Sequence, residues 1–198
     1  MSLRDNGANP APLALYCGRF DTPIGLGIAV FDAQDRLRAL DWEDHESRML
    51  ELIRRYYGVE THLEERSLPQ AIHGRLKAYF DGEIGALGQI ECSLPGTPFQ
   101  RKVWSALRGI PGGSTRSYAA MAAHIGRGAA VRAVGAANGA NPISVVIPCH
   151  RLVGSDGSLT GYGGGIDRKR WLLKHEGVDV DRIMSPRAQP ARKAASGA

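Results

Sequence analysis

The chain changes character near residue 92, and that break divides it into two units of different class. Before it, three short stretches, PLALYCGRF, PIGLGIAVF and RLRALDW, read as β-strands, with apolar and aromatic residues in short runs bounded by turn formers. The turn Asp32-Ala33-Gln34-Asp35 joins the second and third as a hairpin. From Asp44 to Tyr57, Met49, Leu50, Ile53 and Tyr57 recur at helical spacing and Gly58 ends the run. A second helix is expected from Pro69 to Phe80, closed by Asp81-Gly82. The segment QIECSL reads as a further strand. Residues 1–92 are thus expected to form a small α/β unit with a mainly antiparallel sheet, after a polar lead-in, MSLRDNGANP.

Beyond the break the pattern is helical. Thr97-Pro98-Phe99 opens a helix that carries Val103, Trp104 and Leu107, and Pro111-Gly112-Gly113 stops it. A short helix from Ser117 to Ile125, a break at Gly126, and a helix from Ala129 to Asn138 follow. Two short helices joined through glycine fit both a helix-turn-helix and an ordinary packed pair. Then come the apolar run ISVVI, the motif PCHR, a glycine-rich loop and a last helix through Trp171-Leu172-Leu173. The expected fold is therefore an α/β unit followed by a mostly α-helical domain over 93–183. Residues 184–198, rich in Pro, Ala and Arg, are expected to form a disordered tail.

Composition narrows the function classes. With 198 residues, 43% of them hydrophobic, the chain can bury a real core. The net charge of +5 and a pI near 9.3 favour an anionic partner such as nucleic acid, although Arg187, Arg192 and Lys193 place part of the excess in the tail. Cys17, Cys92 and Cys149 are few and widely spaced, with no secretory leader, so reduced thiols in a cytoplasmic protein are expected. None has a CxxC or histidine partner at ligand spacing, so no metal is expected, and Cys17 and Cys92 read as structural. No apolar run reaches the roughly 18 to 20 residues that span a bilayer, so no membrane association is expected.

The chemistry lies in Ile147-Pro148-Cys149-His150-Arg151. A thiol beside an imidazole has the parts of an activated nucleophile, because the thiolate is the reactive form and a neighbouring base raises its fraction. Glu176, in His175-Glu176-Gly177, stands where it can orient that imidazole, giving a line of nucleophile, base and orienter. On the residues alone a second reading stands beside this one: a cysteine after a β-branched run also serves as a small buried hydrophobe. Adjacent residues of an extended segment point opposite ways, so the link from Cys149 to His150 is expected to pass through water.

The segment from Asn141-Pro142-Ile143 through Ile147-Pro148-Cys149-His150-Arg151 resembles the active-site signature of the O6-alkylguanine-DNA alkyltransferases. In the same order stand Thr97-Pro98-Phe99-Gln100, Val103-Trp104, Ile110-Pro111, Ser117-Tyr118, Arg132-Ala133-Val134-Gly135, Gly161-Tyr162, and Trp171-Leu172-Leu173 through His175-Glu176-Gly177. The resemblance is strong over 92–178 and loose before it. It implies a ribonuclease H-like N-terminal domain over 1–92 and a DNA-binding, alkyl-acceptor domain over 93–183. It further implies irreversible, single-turnover transfer of an alkyl group from O6-alkylguanine in double-stranded DNA to Cys149, by a monomer and without a cofactor.

The resemblance also assigns roles. Cys149 is the acceptor, His150 the base acting through water, Glu176 its orienter, Tyr118 a proton donor toward the leaving base, and Asn141 the brace of the turn around the thiol. Arg132 matches an arginine finger that takes the place of the flipped base, while Ala133, Gly135 and Ala136, with Ala129 and Ala130, leave room for a narrow minor groove. Flipping is required because a stacked base cannot present its O6 substituent to a buried thiol. Tyr162, Gly163 and Gly164 line the base pocket. Some relatives carry a hydroxyl side chain at Gly163 and proline at Ser144, so pocket breadth does not carry over. A lesion-recognition module without chemistry is disfavoured by the presence of Cys149, a transcriptional regulator by the lack of a second methyl-accepting cysteine motif, and a cysteine hydrolase by the lack of a sign of an oxyanion hole.

Overall fold

The computed structural model describes residues 13–58 and 62–184; the lead-in and the tail beyond 184 lie outside the described residues. The chain forms two compact units, Met1–Gly96 and Thr97–Ala198.

In the first unit, β1 (Leu15–Phe20), β2 (Gly27–Asp32) and β3 (Leu37–Trp42) form an antiparallel meander. Every residue of β2 and β3 is buried, which explains why GIAVFD and LRALDW run apolar instead of alternating. The hairpin turn closes on Asp32, whose Oδ1 accepts from the backbone N–H of Gln34 and Arg36 at 3.0 and 3.1 Å. Its Oδ2 accepts from Arg36 Nε at 2.9 Å and from Arg38 Nε and Nη2 at 2.8 and 2.6 Å. Helix α1 (Glu46–Tyr57) lays Met49 and Ile53 on Leu15, Cys17, Ile28, Val30 and Ala39, which share one face of the sheet at strand period two.

The sheet is mainly antiparallel, as expected, in the order β3-β2-β1-β4, with one parallel pairing where β4 (Leu63–Glu65) lies beside β1. One sequence expectation is corrected: QIECSL is not that fourth strand. After α2 (Gln70–Phe80), residues Ile84–Gln89 form 3-10 turns, and only an isolated parallel bridge joins Cys92 to Leu37.

The second unit opens with α3 (Pro98–Arg108), whose start is fixed by a reciprocal cap. Thr97 Oγ1 accepts from the Gln100 N–H at 3.2 Å, and Gln100 Oε1 accepts from the Thr97 N–H at 2.9 Å. Two-residue strands β5 (Arg116–Ser117) and β6 (Leu152–Val153) pair in parallel. Between them run α4 (Tyr118–His124), capped by Ser117, and α5 (Val131–Gly139), joined through Gly126 at φ +70°. Helix α6 (Ile166–His175) is followed by a short α7 (Val180–Met184), which the sequence reading did not separate. Among the described residues no helix is long and apolar enough to cross a membrane.

Trp104 ties α3 to α5. Its indole is fully buried, and Nε1 donates to the Ala137 carbonyl at 2.8 Å, in the last turn of α5 where helical partners run out. Trp104→Phe removes that donor and is expected to lower unfolding stability by about 1–3 kcal/mol, the cost of stranding a buried acceptor. An unshifted denaturant midpoint would show that the carbonyl finds another partner.

Candidate active site

The segment leading to Cys149 is held by one side chain. Asn141 is fully buried; its Oδ1 accepts from the Ile143 N–H at 3.0 Å, and its Nδ2 donates to the carbonyls of Ile147 at 2.9 Å and Ile143 at 3.3 Å. Backbone bonds from Ile147 N to Ile143 O (3.1 Å) and from Val146 N to Ser144 O (2.7 Å) tighten the turn. Within it Val145 has φ +67°, a region that β-branched residues avoid at a cost of about 1–3 kcal/mol. Ile143, Val145, Val146 and Ile147 are all buried, so their packing holds the strained turn in place. Cys149 follows as the first residue of a 3-10 turn, Cys149–Arg151. It is 4% exposed and not disulfide-bonded.

The two residues after the thiol converge on Glu176, which ends α6. Glu176 Oε1 lies 2.9 Å from His150 Nε2, and Arg151 donates through Nε to Oε2 and through Nη2 to Oε1, each at 2.8 Å. The third guanidinium nitrogen, Nη1, donates to the Ile110 carbonyl. Burial alone would push the Glu176 carboxyl up, but its bonds to His150 and Arg151 outweigh that and hold it at about 2. An ionised carboxylate only accepts, so Nε2 carries the imidazole proton and Nδ1 keeps a lone pair. His150 is fully buried, and its Nδ1 has no protein hydrogen-bond partner. Burial lowers the His150 pKa, against the opposing pull of Glu176, which keeps the ring neutral near pH 7.

The Tyr118 hydroxyl reaches the carbonyls of Thr160 and Gly161, each at 3.4 Å. Both bonds are long for O–H···O, so the phenolic proton is weakly held. Tyr162 stands edge-on to the His150 ring at 6.3 Å, and the Gly165 N–H donates to its carbonyl at 3.0 Å, which turns the chain through Gly163 and Gly164. Arg132, Ala133 and Ala136 occupy the exposed side of α5 with Gly135 half-buried, while Val134, Ala137 and Asn138 face inward.

Sequence reasoning gave no role to three residues that the structure brings to this site. Arg151 was quoted only as part of the motif. Asn138, on the inner side of α5, donates from Nδ2 to the Tyr118 hydroxyl at 3.4 Å. Lys169 sits in Arg168-Lys169-Arg170 and reads as a solvated cation, yet it is fully buried, with Nζ donating to Leu152 O at 2.5 Å and Thr160 O at 2.7 Å. Burial lowers its pKa to about 8, and charge on Cys149 opposes the fall. Helical phase carried a signal, because Ile166, Lys169, Leu172 and Leu173 share one stripe of α6.

The folded pKa of His150 lies below the unfolded value of 6.5, so the unfolded chain takes up this proton first. Its contribution to stability is present above pH 6.5 and is lost as pH falls through the folded value. Glu176 adds a loss between 4.5 and about 2. Melting of the protein and of His150→Gln between pH 7.5 and 5 checks the histidine part: the gap between them is expected to narrow on acidification. A constant gap would mean that His150 does not change its proton count on unfolding.

Comparison with known proteins places this site in a family. Residues 98–178 match the model described as 6-O-methylguanine DNA methyltransferase, DNA binding domain. The chain is 49% identical to the methylated-DNA–protein-cysteine methyltransferase of Salmonella typhimurium, over 83% of this chain and 97% of that one. It superposes on Mycobacterium tuberculosis OGT, solved in complex with DNA, with a TM-score of 0.68 and 37% identity, over 85% of this chain and 98% of that one. It also superposes on the O6-methylguanine-DNA methyltransferase of Pyrococcus kodakaraensis, with a TM-score of 0.67 and 26% identity over 83% and 99% of the two chains. The chain belongs to the methylated-DNA–protein-cysteine methyltransferase family.

Proposed function

We propose that the chain repairs alkylated DNA, moving a methyl or larger alkyl group from the O6 of guanine onto Cys149 in one irreversible turnover. The observation that carries this reading is the buried His150, held by Glu176 through Nε2 and left with an unpartnered Nδ1, next to Cys149 in sequence. The sulfur attacks the alkyl carbon, the carbon–O6 bond breaks, and its electron pair leaves with the base. The thiol proton passes to His150 through water, and Tyr118 gives its proton to the departing guanine as charge builds there. A thioether has no easy leaving group, so the protein is consumed. No step calls for a metal, nucleotide or methyl donor.

Helices α4 and α5 serve in this account as a helix-turn-helix. Ala133, Gly135 and Ala136 let α5 lie close to a narrow groove, and Arg132 fills the stack when the damaged base flips into the pocket walled by Tyr162, Gly163 and Gly164. The protein acts as a monomer on double-stranded DNA in the cytoplasm. Residues 93–183 form the DNA-binding and acceptor domain, and the N-terminal unit is of ribonuclease H-like type.

Labelled methyl transfer from an O6-methylguanine duplex tests the reading. Label is expected on the protein at one equivalent, and none on Cys149→Ala. Lesion binding by the intact protein without transfer would instead make it a recognition module. Arg132→Ala is expected to slow transfer from duplex by about 100-fold, in line with a flipping cost of a few kcal/mol, while leaving a free base analogue nearly unaffected. Equal losses on both substrates would remove the finger role.

A further inference from the structure

Asn138 is a polar residue at a position where packing asks for an apolar one. It lies on the inner side of α5 next to Ala137 and one turn from Val134, and it is 4% exposed. Its Oδ1 is buried and has no hydrogen-bond partner in the protein. A buried acceptor left unmet destabilises a fold, and a leucine of similar volume would fill the space without that penalty. The amide makes one side-chain contact, the bond from Nδ2 to the Tyr118 hydroxyl.

We propose that Asn138 is a positioning residue for proton donation by Tyr118, its amide N–H stabilising the phenolate that forms as guanine departs. The inference rests on the reading of Tyr118 as proton donor. When the phenolic proton moves to the leaving base, the O–H electron pair stays on Oη. Tyr118 is half-buried, and its hydroxyl is close enough to Cys149 to feel its charge. Burial and a charged Cys149 both resist ionisation of the phenol, and the side chains of Thr160 and Asn138 act against them. The Thr160 carbonyl can only accept, so it holds the proton before transfer and offers nothing to the oxyanion afterwards. The Asn138 amide is a donor whose bond gains as charge develops. Its bond is long, 3.4 Å, in the resting state, and a bond to an anion shortens to about 2.7–2.9 Å. An interaction that is weak in the ground state and strong in the transition state raises the rate without tightening binding.

The test is a double-mutant cycle on single-turnover methyl transfer from an O6-methylguanine duplex, using the full chain as wild type, Asn138→Leu, Tyr118→Phe and the pair. Asn138→Leu is expected to melt at the same temperature as wild type or higher. Its saturating transfer rate is expected to fall roughly tenfold, the worth of one hydrogen bond to a forming charge, at an unchanged half-saturating DNA concentration. Against Tyr118→Phe the same substitution is expected to add nothing. Asn138→Ala, which removes the bond without adding bulk, gives the same pattern and stands in should the leucine variant fold poorly. If Tyr118→Phe slows transfer but Asn138→Leu does not, or if the two losses multiply, the role of Asn138 is overturned and that of Tyr118 survives. If Tyr118→Phe itself transfers at the wild-type rate, the reading of Tyr118 falls and Asn138 falls with it.

Discussion

The buried carboxylate of Glu176 is the interaction on which the rest of the site depends. It sits at the C-terminal end of α6, where the helix dipole disfavours an anion, and it is shielded from water. Removing a carboxylate from solvent costs several kcal/mol unless the geometry of its partners is good. The planar guanidinium of Arg151 meets both oxygens, and the His150 ring meets one. Through Arg151 the same carboxylate reaches the Ile110 carbonyl beyond α3, so a single charge joins three elements of the second unit. Gly113 runs close to the Glu176 backbone: a Cβ there would stand 3.0 Å from the Glu176 carbonyl, and its φ is +75°.

That network chooses a tautomer for the imidazole that follows Cys149 in the chain. An imidazole pinned through Nε2 to an ionised carboxylate has its basic nitrogen at Nδ1, and burial keeps it uncharged. The surrounding turn is equally fixed. The Asn141 side chain makes three hydrogen bonds to the backbone of residues 143–147, and the packed apolar residues hold Val145 in a disfavoured conformation. Lys169 clips the strand after the thiol to the loop that Tyr118 also touches. The single-turnover reaction proposed above would gain from such prearrangement, since no later turnover requires the site to reopen.

Much of this was legible in the residues, and the exceptions have physical causes. Periodicity and caps located β1 to β3, α1, α2 and α3, because Thr97, Pro98, Gly58 and the Asp32 turn act locally. Residues 63–65 escaped because Leu-Glu-Glu is short and half polar; only its long-range pairing with β1 makes it a strand. QIECSL alternates well enough to mislead, but its backbone meets β3 at one residue. At the site, Cys149, His150 and Glu176 stand out through chemistry carried by residue type. Arg151, Lys169 and Asn138 do not, since a cation or amide reads as surface until tertiary packing buries it.

The central claim is that His150 is a neutral base with its proton on Nε2. Nitrogen-15 NMR of the histidine rings in the unreacted protein near pH 7 tests it directly, with His150→Gln used to assign the signal. The account predicts an Nε2–H signal paired with an unprotonated Nδ1 for His150, unchanged until the pH falls below 6.5. An imidazolium, or a ring protonated at Nδ1, would contradict it and leave the thiol of Cys149 without the base assigned to it.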